Sequence, residues 1–279
     1  MRAGDAVRPR GPAQRVLAAN TWAVYVFLYA PILLLIVFSF NDNRIVGVWN
    51  TASLRWYREM LDNAAVLNAL RNSLIVALAS TAVSTVIGTA AALALERFRF
   101  PGRRVYDGLV YLPVIIPDVT MAVMMLLFFV EAFVIVQAVL GISPSLGIPT
   151  ITLSHIAFNI SFVAIVVRAR LAGLDPALEE AAADLYASRW QAFRRVTLPL
   201  IMPGVLGGAL LALTLSLDDV VVTSFVAGPG STTLPVYVFG LVRRGVTPLI
   251  NAVSTVMLVA SMLLVLGSLL IQRRSPDRA

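Results

Sequence analysis

Six apolar runs, each about the length of a membrane-crossing helix, constrain this 279-residue chain more than any other feature. A helix needs about 20 mainly apolar residues to cross a hydrocarbon core roughly 30 Å thick. Runs of that length lie at Thr21–Phe40, Ser73–Leu95, Asp107–Val130, Ile151–Leu171, Gly204–Val226 and Leu249–Ile271. No water reaches backbone N–H and C=O groups inside lipid, so each run must close its own hydrogen bonds as a helix. Composition agrees, since 59% of the residues are hydrophobic, against about 45–50% in ordinary soluble domains. The expectation is an all-α polytopic membrane protein with six transmembrane helices. It divides into a tail over residues 1–20, a membrane domain over 21–271 with an inner loop at 172–203, and a second tail over 272–279.

The net charge of +7 would suit a nucleic-acid surface, but only 13% of residues are charged, so the excess calls for a topological reading. All 22 basic residues are Arg. With the N-terminus inside, sixteen of them fall on the cytoplasmic side: Arg2, Arg8, Arg10 and Arg15, then Arg97, Arg99, Arg103 and Arg104, then Arg168, Arg170, Arg189, Arg194 and Arg195, and last Arg273, Arg274 and Arg278. Only Arg44, Arg55, Arg58, Arg71, Arg243 and Arg244 fall outside. Short cytoplasmic segments carry just such an excess of basic residues, which places both termini in the cytoplasm. Five or seven spans would spoil the pattern.

The first apolar run follows a basic tail, yet it is long and has no small-residue cleavage site before Asn41, so it reads as a retained signal-anchor span. Trp49, Leu54, Trp56, Tyr57, Met60 and Leu61 in the outer loop suit either a short amphipathic helix at the interface or ordinary belt aromatics. Glu131–Leu140 either extends the third helix or re-enters the outer surface before Gly141, Ser143, Pro144, Gly147 and Pro149 break it.

Several chemistries are excluded. Without Lys there is neither a phosphate-binding P-loop nor a Schiff-base amine. Without Cys there is no thiol nucleophile or thiolate ligand, and one His makes a zinc cluster improbable. The chain reads as non-enzymatic, with no metal site and no bound cofactor.

The loop Asp175–Pro203 is unusually organised. Asp175 suits an N-cap and Pro176 the first helical position, with Glu179 and Glu180 near the positive end of the helix dipole. Leu178, Ala181, Ala182 and Leu185 make a narrow apolar face. Ser188 and Gln191 have capping-box spacing, Trp190, Phe193 and Val196 supply a second face, and the helix must stop or kink before Pro199. A helix, a bend and a second helix form a rigid knob able to pass displacement into the spans at both its ends.

This loop resembles the EAA loop of bacterial ABC-importer permeases. The resemblance rests on Glu180, Ala181 and Ala182, followed at the family's distances by Val196, Leu198 and Pro199. It implies the type I importer permease fold, known as MetI-like, and a coupling segment that docks on a cytoplasmic ATPase through Leu178, Glu179, Glu180, Ala181, Ala182, Leu185, Tyr186, Leu198 and Pro199. Tyr186 stands where the family usually has Gly. Glycine permits a positive φ, so tyrosine calls for another bend geometry or a continuing helix.

Asp118, Asp218 and Asp219 lie within the assigned spans, where a charge costs roughly 2.5–3.5 kcal/mol on insertion scales. They need a pore, a polar partner or a proton. Neighbouring helix positions point about 100° apart, so one of Asp218 and Asp219 can face a path while the other binds a neighbour. Ser216, Thr214 and Thr223 are within helical reach as purely structural partners, and Glu131 either lines a pore mouth or faces water.

The run from Ser216 to Thr255, with YLPVIIPD before it, is similar to the spermidine/putrescine branch of the permease family, its PotC-like subfamily. That resemblance implies a polyamine importer of the bacterial inner membrane. Its implied partners are a second permease subunit, two ATPase copies that use ATP and Mg, and an outer solute-binding protein, with no nucleic acid. Gly228, Pro229, Gly230, Thr232, Thr233 and Pro235 become the outer gate or binding-protein contact. Competing readings are an importer for another amino-containing solute, such as an opine or aminophosphonate, and an ion-coupled secondary transporter, for which buried carboxylates are also natural.

Overall fold

A computed structural model of the chain describes residues 12–45, 47–175, 177–244 and 247–273. The sequence features assigned to Arg2, Arg8, Arg10, Pro176, Arg274 and Arg278 lie outside the described residues. The chain folds into helices α1 (Pro12–Ser39), α2 (Arg55–Asp62), α3 (Ala64–Arg97), α4 (Arg103–Ile115), α5 (Asp118–Leu140) and α6 (Ile148–Leu171). There follow α7 (Ala177–Asp184), α8 (Arg189–Ala192), a π-helical turn at Phe193–Thr197, α9 (Leu198–Asp218), α10 (Val221–Val226), α11 (Leu234–Arg244) and α12 (Pro248–Arg273). Six helical stretches are long and apolar enough to cross a membrane, including one that runs through α8, the π turn and α9.

The centre is a three-helix contact of α3, α6 and α9, with α6 the most enclosed of the six. Val163, Ala164, Val167 and Leu171 of α6 are buried against Ala92 of α3 and Ile201 and Ala212 of α9. Small residues let the backbones close in. A Cβ on Gly88 would lie 2.8 Å from Val163 Cβ and 2.9 Å from Ile160 O, and one on Gly208 would lie 3.2 Å from Val163 Cα. Around this centre α1 packs against α12, leaving Trp22, Phe27 and Leu33 exposed, as suits a lipid-facing helix.

The third apolar run is not one helix from Asp107 to Val130. Ile116 precedes Pro117 and is held extended (φ −71°, ψ 134°), because a residue before proline is disfavoured in the α region. The run therefore splits into α4 and α5, and α5 is the spanning piece. Glu131–Leu140 continues α5 without interruption until Gly141 takes a left-handed conformation (φ 68°) and ends it.

The fifth run is also broken. Asp219 is extended (φ −68°, ψ 125°), Val220 turns back, and helix resumes at Val221. At the other end, no stop occurs before Pro199. Proline lacks the N–H that would bond the carbonyl four residues back. The preceding turn widens to π spacing, with Leu198 N–H bonding Phe193 O, and α8 runs on into α9 with Pro203 inside it.

The outer-loop helix α2 exists and is docked on protein. Its Trp56 is buried beside Val66, Leu249, Ala252 and Val253, and donates its indole N–H to Asn41 O at 2.7 Å.

Candidate functional site

Both helix breaks open onto one cavity. A space of about 250 Å3 is lined by Pro113 and Asp118 at the α4–α5 break and by Leu215, Asp218, Asp219 and Val220 at the α9–α10 break, with Met121, Phe158 and Phe162 as apolar walls. Broken helices within a membrane are tolerated where the freed backbone lines a cavity or binds protein groups. The C-terminal end of α9 brings the negative end of a helix dipole to this space and the N-terminal end of α5, which starts at Asp118, the positive end of another. The carboxylates of Asp118 and Asp218, with Asp219 beside them, and the aromatic walls make a lining able to attract a cation that carries apolar methylenes.

Of the four acidic residues assigned from the sequence to a possible path, Asp118, Asp218 and Asp219 converge on this cavity. Glu131 does not line it. It lies on an exposed position of α5, 13 residues beyond Asp118 or about 20 Å along the helix.

The adjacent aspartates divide their roles. Asp218 is exposed and also borders a second, larger groove of about 630 Å3 between α3, α9 and α12. Asp219 turns inward, its side chain 13% exposed. Its Oδ1 accepts from Val222 N–H (3.2 Å), and its Oδ2 from Thr223 N–H (2.7 Å) and Thr223 Oγ1 (2.7 Å). Those are free donors at the start of α10, and a carboxylate there satisfies them as a cap.

Sequence reasoning passed over His155. It is fully buried, with Nε2 3.3 Å from Asp219 Oδ2 and 3.0 Å from Thr223 Oγ1, and Nδ1 2.6 Å from Ser216 Oγ. Ser216 Oγ in turn lies 3.1 Å from Ser80 Oγ of α3. One imidazole thus ties α3, α6, α9 and α10 together beside the cavity. The signal was there, since a strongly polar side chain within an apolar span demands a partner, but its partner lies over 60 positions away.

The inner knob forms as expected in outline. Asp175 Oδ1 accepts from Ala177 N–H (2.9 Å), and Ser188 and Gln191 close a reciprocal capping box. Tyr186 departs from the expectation. It neither continues the helix nor finds another bend, but takes the positive φ (58°) of the glycine it replaces. Ala187 N–H bonds Ala182 O and Tyr186 N–H bonds Ala183 O, the pattern that ends many helices on glycine. Leu185, Tyr186 and Trp190 are left 81%, 97% and 66% exposed, an apolar patch left uncovered by the described residues. Glu179 and Glu180 point apart: Glu180 is exposed, whereas Glu179 pairs with Arg97 and accepts from Thr197 Oγ1. Nearby, Arg168 pairs with Asp107 and Glu96, so the two Arg-rich loops meet at one end of the bundle.

At the other end, the loop after α10 is tightly seated. Gly228 has Leu146 O only 1.8 Å from where a Cβ would be, and Gly230 has φ 74°. Asn72 Nδ2 donates to Gly230 O and Thr232 O, both at 3.0 Å, and Leu234 N–H donates to Ser73 Oγ at 2.8 Å. Thr233 and Pro235 are buried, while Pro229 and Gly230 stay exposed. Among the described residues, no three His, Asp or Glu side chains gather as a metal site.

Six apolar spans with a capped knob before the fifth match the architecture of ABC-importer permeases, and the relatives below make this chain a non-catalytic inner-membrane permease subunit of that class. The chain belongs to the family of binding-protein-dependent transport system inner membrane components, which it matches over residues 84–278. It is 44% identical to the putrescine transport system permease protein PotI of Escherichia coli K12, over 84% of this chain and 82% of that one. It is 41% identical to the spermidine/putrescine transport system permease protein PotC of the same strain, over 90% and 91%. A chain of a bacterial ABC transporter involved in importing the acidic polysaccharide alginate shares the fold, with a TM-score of 0.76 at 22% identity, covering 93% of this chain and 94% of that one. The MetNI methionine transporter shares it at a TM-score of 0.60 and 17% identity, over 81% and 100%.

Proposed function

We propose that this chain lines the translocation path of an ATP-driven importer for polyamines, with both termini in the cytoplasm. The observation that carries the reading is the cavity at the two helix breaks, where Asp118 and Asp218 flank apolar walls. A polyamine is a flexible chain of methylenes and ammonium groups, and carboxylates offset its charge without strict geometry. The similarity to PotI and PotC supports the same class of cargo. A second reading comes from the 30% identity to a putative 2-aminoethylphosphonate transport system permease protein, PhnV, of Salmonella typhimurium LT2. Carboxylates at the cavity disfavour it, because a phosphonate anion would be repelled.

In this reading, a second permease subunit completes the path, two ATPase copies supply ATP and Mg chemistry, and an outer binding protein delivers cargo. The exposed patch of Leu185, Tyr186 and Trp190, with Leu178 and Glu180 beside it, fits a cleft on the ATPase. The glycine-bearing loop Gly228–Pro235 faces the binding protein. ATPase closure pushes the knob, and the spans joined to it change which side the cavity opens to.

Reconstitution of the complete complex in proteoliposomes tests the reading with labelled putrescine, spermidine and 2-aminoethylphosphonate. ATP-dependent polyamine uptake is expected. Asp118→Asn and Asp218→Asn should each lower it roughly tenfold, as loss of about 1.4 kcal/mol of attraction would do, without loss of assembly. Glu180→Arg should reduce both uptake and retention of the ATPase. Uptake of the phosphonate alone, or undiminished uptake by both Asn variants, would refute the polyamine path.

A further inference from the structure

Asp218 sits at the last residue of α9, one position before a break that contains neither proline nor glycine. The Asp219 carboxylate starts α10 locally as its cap, but those bonds hold α10 alone and tie nothing to α9, so the angle between the two helices, and with it the direction of Asp218, is set from elsewhere. The hydrogen bonds around the break identify the source. Thr223 Oγ1 has one proton, which it gives to the Asp219 carboxylate at 2.7 Å. The same oxygen, 3.0 Å from His155 Nε2, can then only accept, so that nitrogen carries a proton and donates to it. Nδ1 meets the Ser216 hydroxyl, and Ser216 meets Ser80, where either hydroxyl can serve as donor. His155 therefore holds α9 through Ser216 on one side and α10 through Thr223 and Asp219 on the other. It does so from α6, and it does not itself line the cavity.

We propose that His155 is a positioning residue for Asp218: by bridging Ser216 and Thr223 it fixes the α9–α10 break at the angle that turns the Asp218 carboxylate into the cavity. The inference rests on the reading of Asp218 as part of the translocation path. Full burial of the imidazole makes the bridge stiff, since its partners have no water to exchange with and an unmade bond there costs the whole desolvation of the group.

The chain contains no cysteine, which allows a direct test. Asp218→Cys, and separately Thr232→Cys in the exposed outer loop, are labelled in the assembled complex in membrane vesicles with a cationic thiosulfonate, and modification is read by mass on this chain. With His155 intact, both positions should be labelled. Cysteine reactivity follows exposure, so His155→Leu should slow labelling at 218 by roughly tenfold and leave 232 unchanged. His155→Gln, which keeps one donor and one acceptor, should restore most of the rate at 218. Thr223→Val, close in shape and milder, should slow labelling at 218 even if His155→Leu fails to assemble. Labelling at 218 that is unaffected by both Thr223→Val and His155→Leu overturns the proposal and leaves the path reading standing. Absence of labelling at 218 with His155 intact removes the path reading and the proposal with it.

Discussion

Glu179, in the first turn of α7, forms an ion pair with Arg97, in the last turn of α3. Thr197, in the π turn that leads into α9, donates its hydroxyl to the same carboxylate. The knob is therefore joined by side chains to a span from which it is remote in sequence. In the proposed coupling, an ATPase pushing on α7 has a route into α3 as well as α6 and α9. The pair is about one-third exposed on each side, so its contribution to stability should be modest, about 0.2–1 kcal/mol. Its effect on coupling should be larger. Glu179→Arg and Arg97→Glu are each expected to lower the ratio of uptake to ATP hydrolysis, and the double exchange to recover it. Measuring both rates in the same proteoliposomes decides the matter, since equal ratios in all four proteins would show that the pair transmits nothing.

Tyr186 occupies a left-handed conformation at the end of α7 with its ring in solvent. Such a conformation costs a non-glycine residue roughly 1–2 kcal/mol. Tyr186→Gly should therefore make the turn more stable, seen as slower amide exchange across Ala181–Ala187. If the ring contributes to docking, the same variant should weaken retention of the ATPase during purification. Faster exchange would contradict the assignment of strain.

Asp218 and Asp219 should separate cleanly when each is changed to Asn. Asp219 caps α10 and binds His155, so Asp219→Asn, which keeps a capping oxygen but removes the charge, should lower the thermal midpoint of the purified complex, losing about 1 kcal/mol as charge-assisted bonds become neutral ones. Asp218 has no such partners among the described residues and borders the cavity, so Asp218→Asn should reduce uptake with the midpoint unchanged. A thermal-shift series with uptake on the same preparations would expose the reverse pattern.

Gly88 and Gly208 press on Val163 from α3 and α9. Gly88→Val adds a side chain where a single Cβ already meets Val163 and the Ile160 carbonyl, so the helices must separate. Overpacking of this kind costs typically 1–3 kcal/mol. The variant should assemble poorly, and Val163→Ala should recover part of the yield. Normal yield from the single variant would mean that the three-helix contact is looser than described.

The pattern in the chain made some features legible at once. Apolar length placed the six spans, because lipid leaves a backbone no alternative to helix. The caps at Asp175 and Ser188 could be read because a cap and its helix are neighbours in sequence. The break at Pro117 also has a local cause, the residue before a proline, but the apolar run around YLPVIIPD reads as part of one span from Asp107 to Val130.

By itself the sequence determined the class of fold, the spans, the helical knob and the family, since each depends on residues within a turn or two of one another or on a spaced motif. Only the tertiary structure decided which of Asp218 and Asp219 is tied to α10 and His155, which of Glu179 and Glu180 is paired, and that Tyr186 bears a glycine's backbone. The reason is distance along the chain. Asp219 caps α10 locally but also meets His155 from another helix, and Glu179 is paired because Arg97 lies at the end of α3. No local preference encodes such pairings; they exist once packing has brought the helices together.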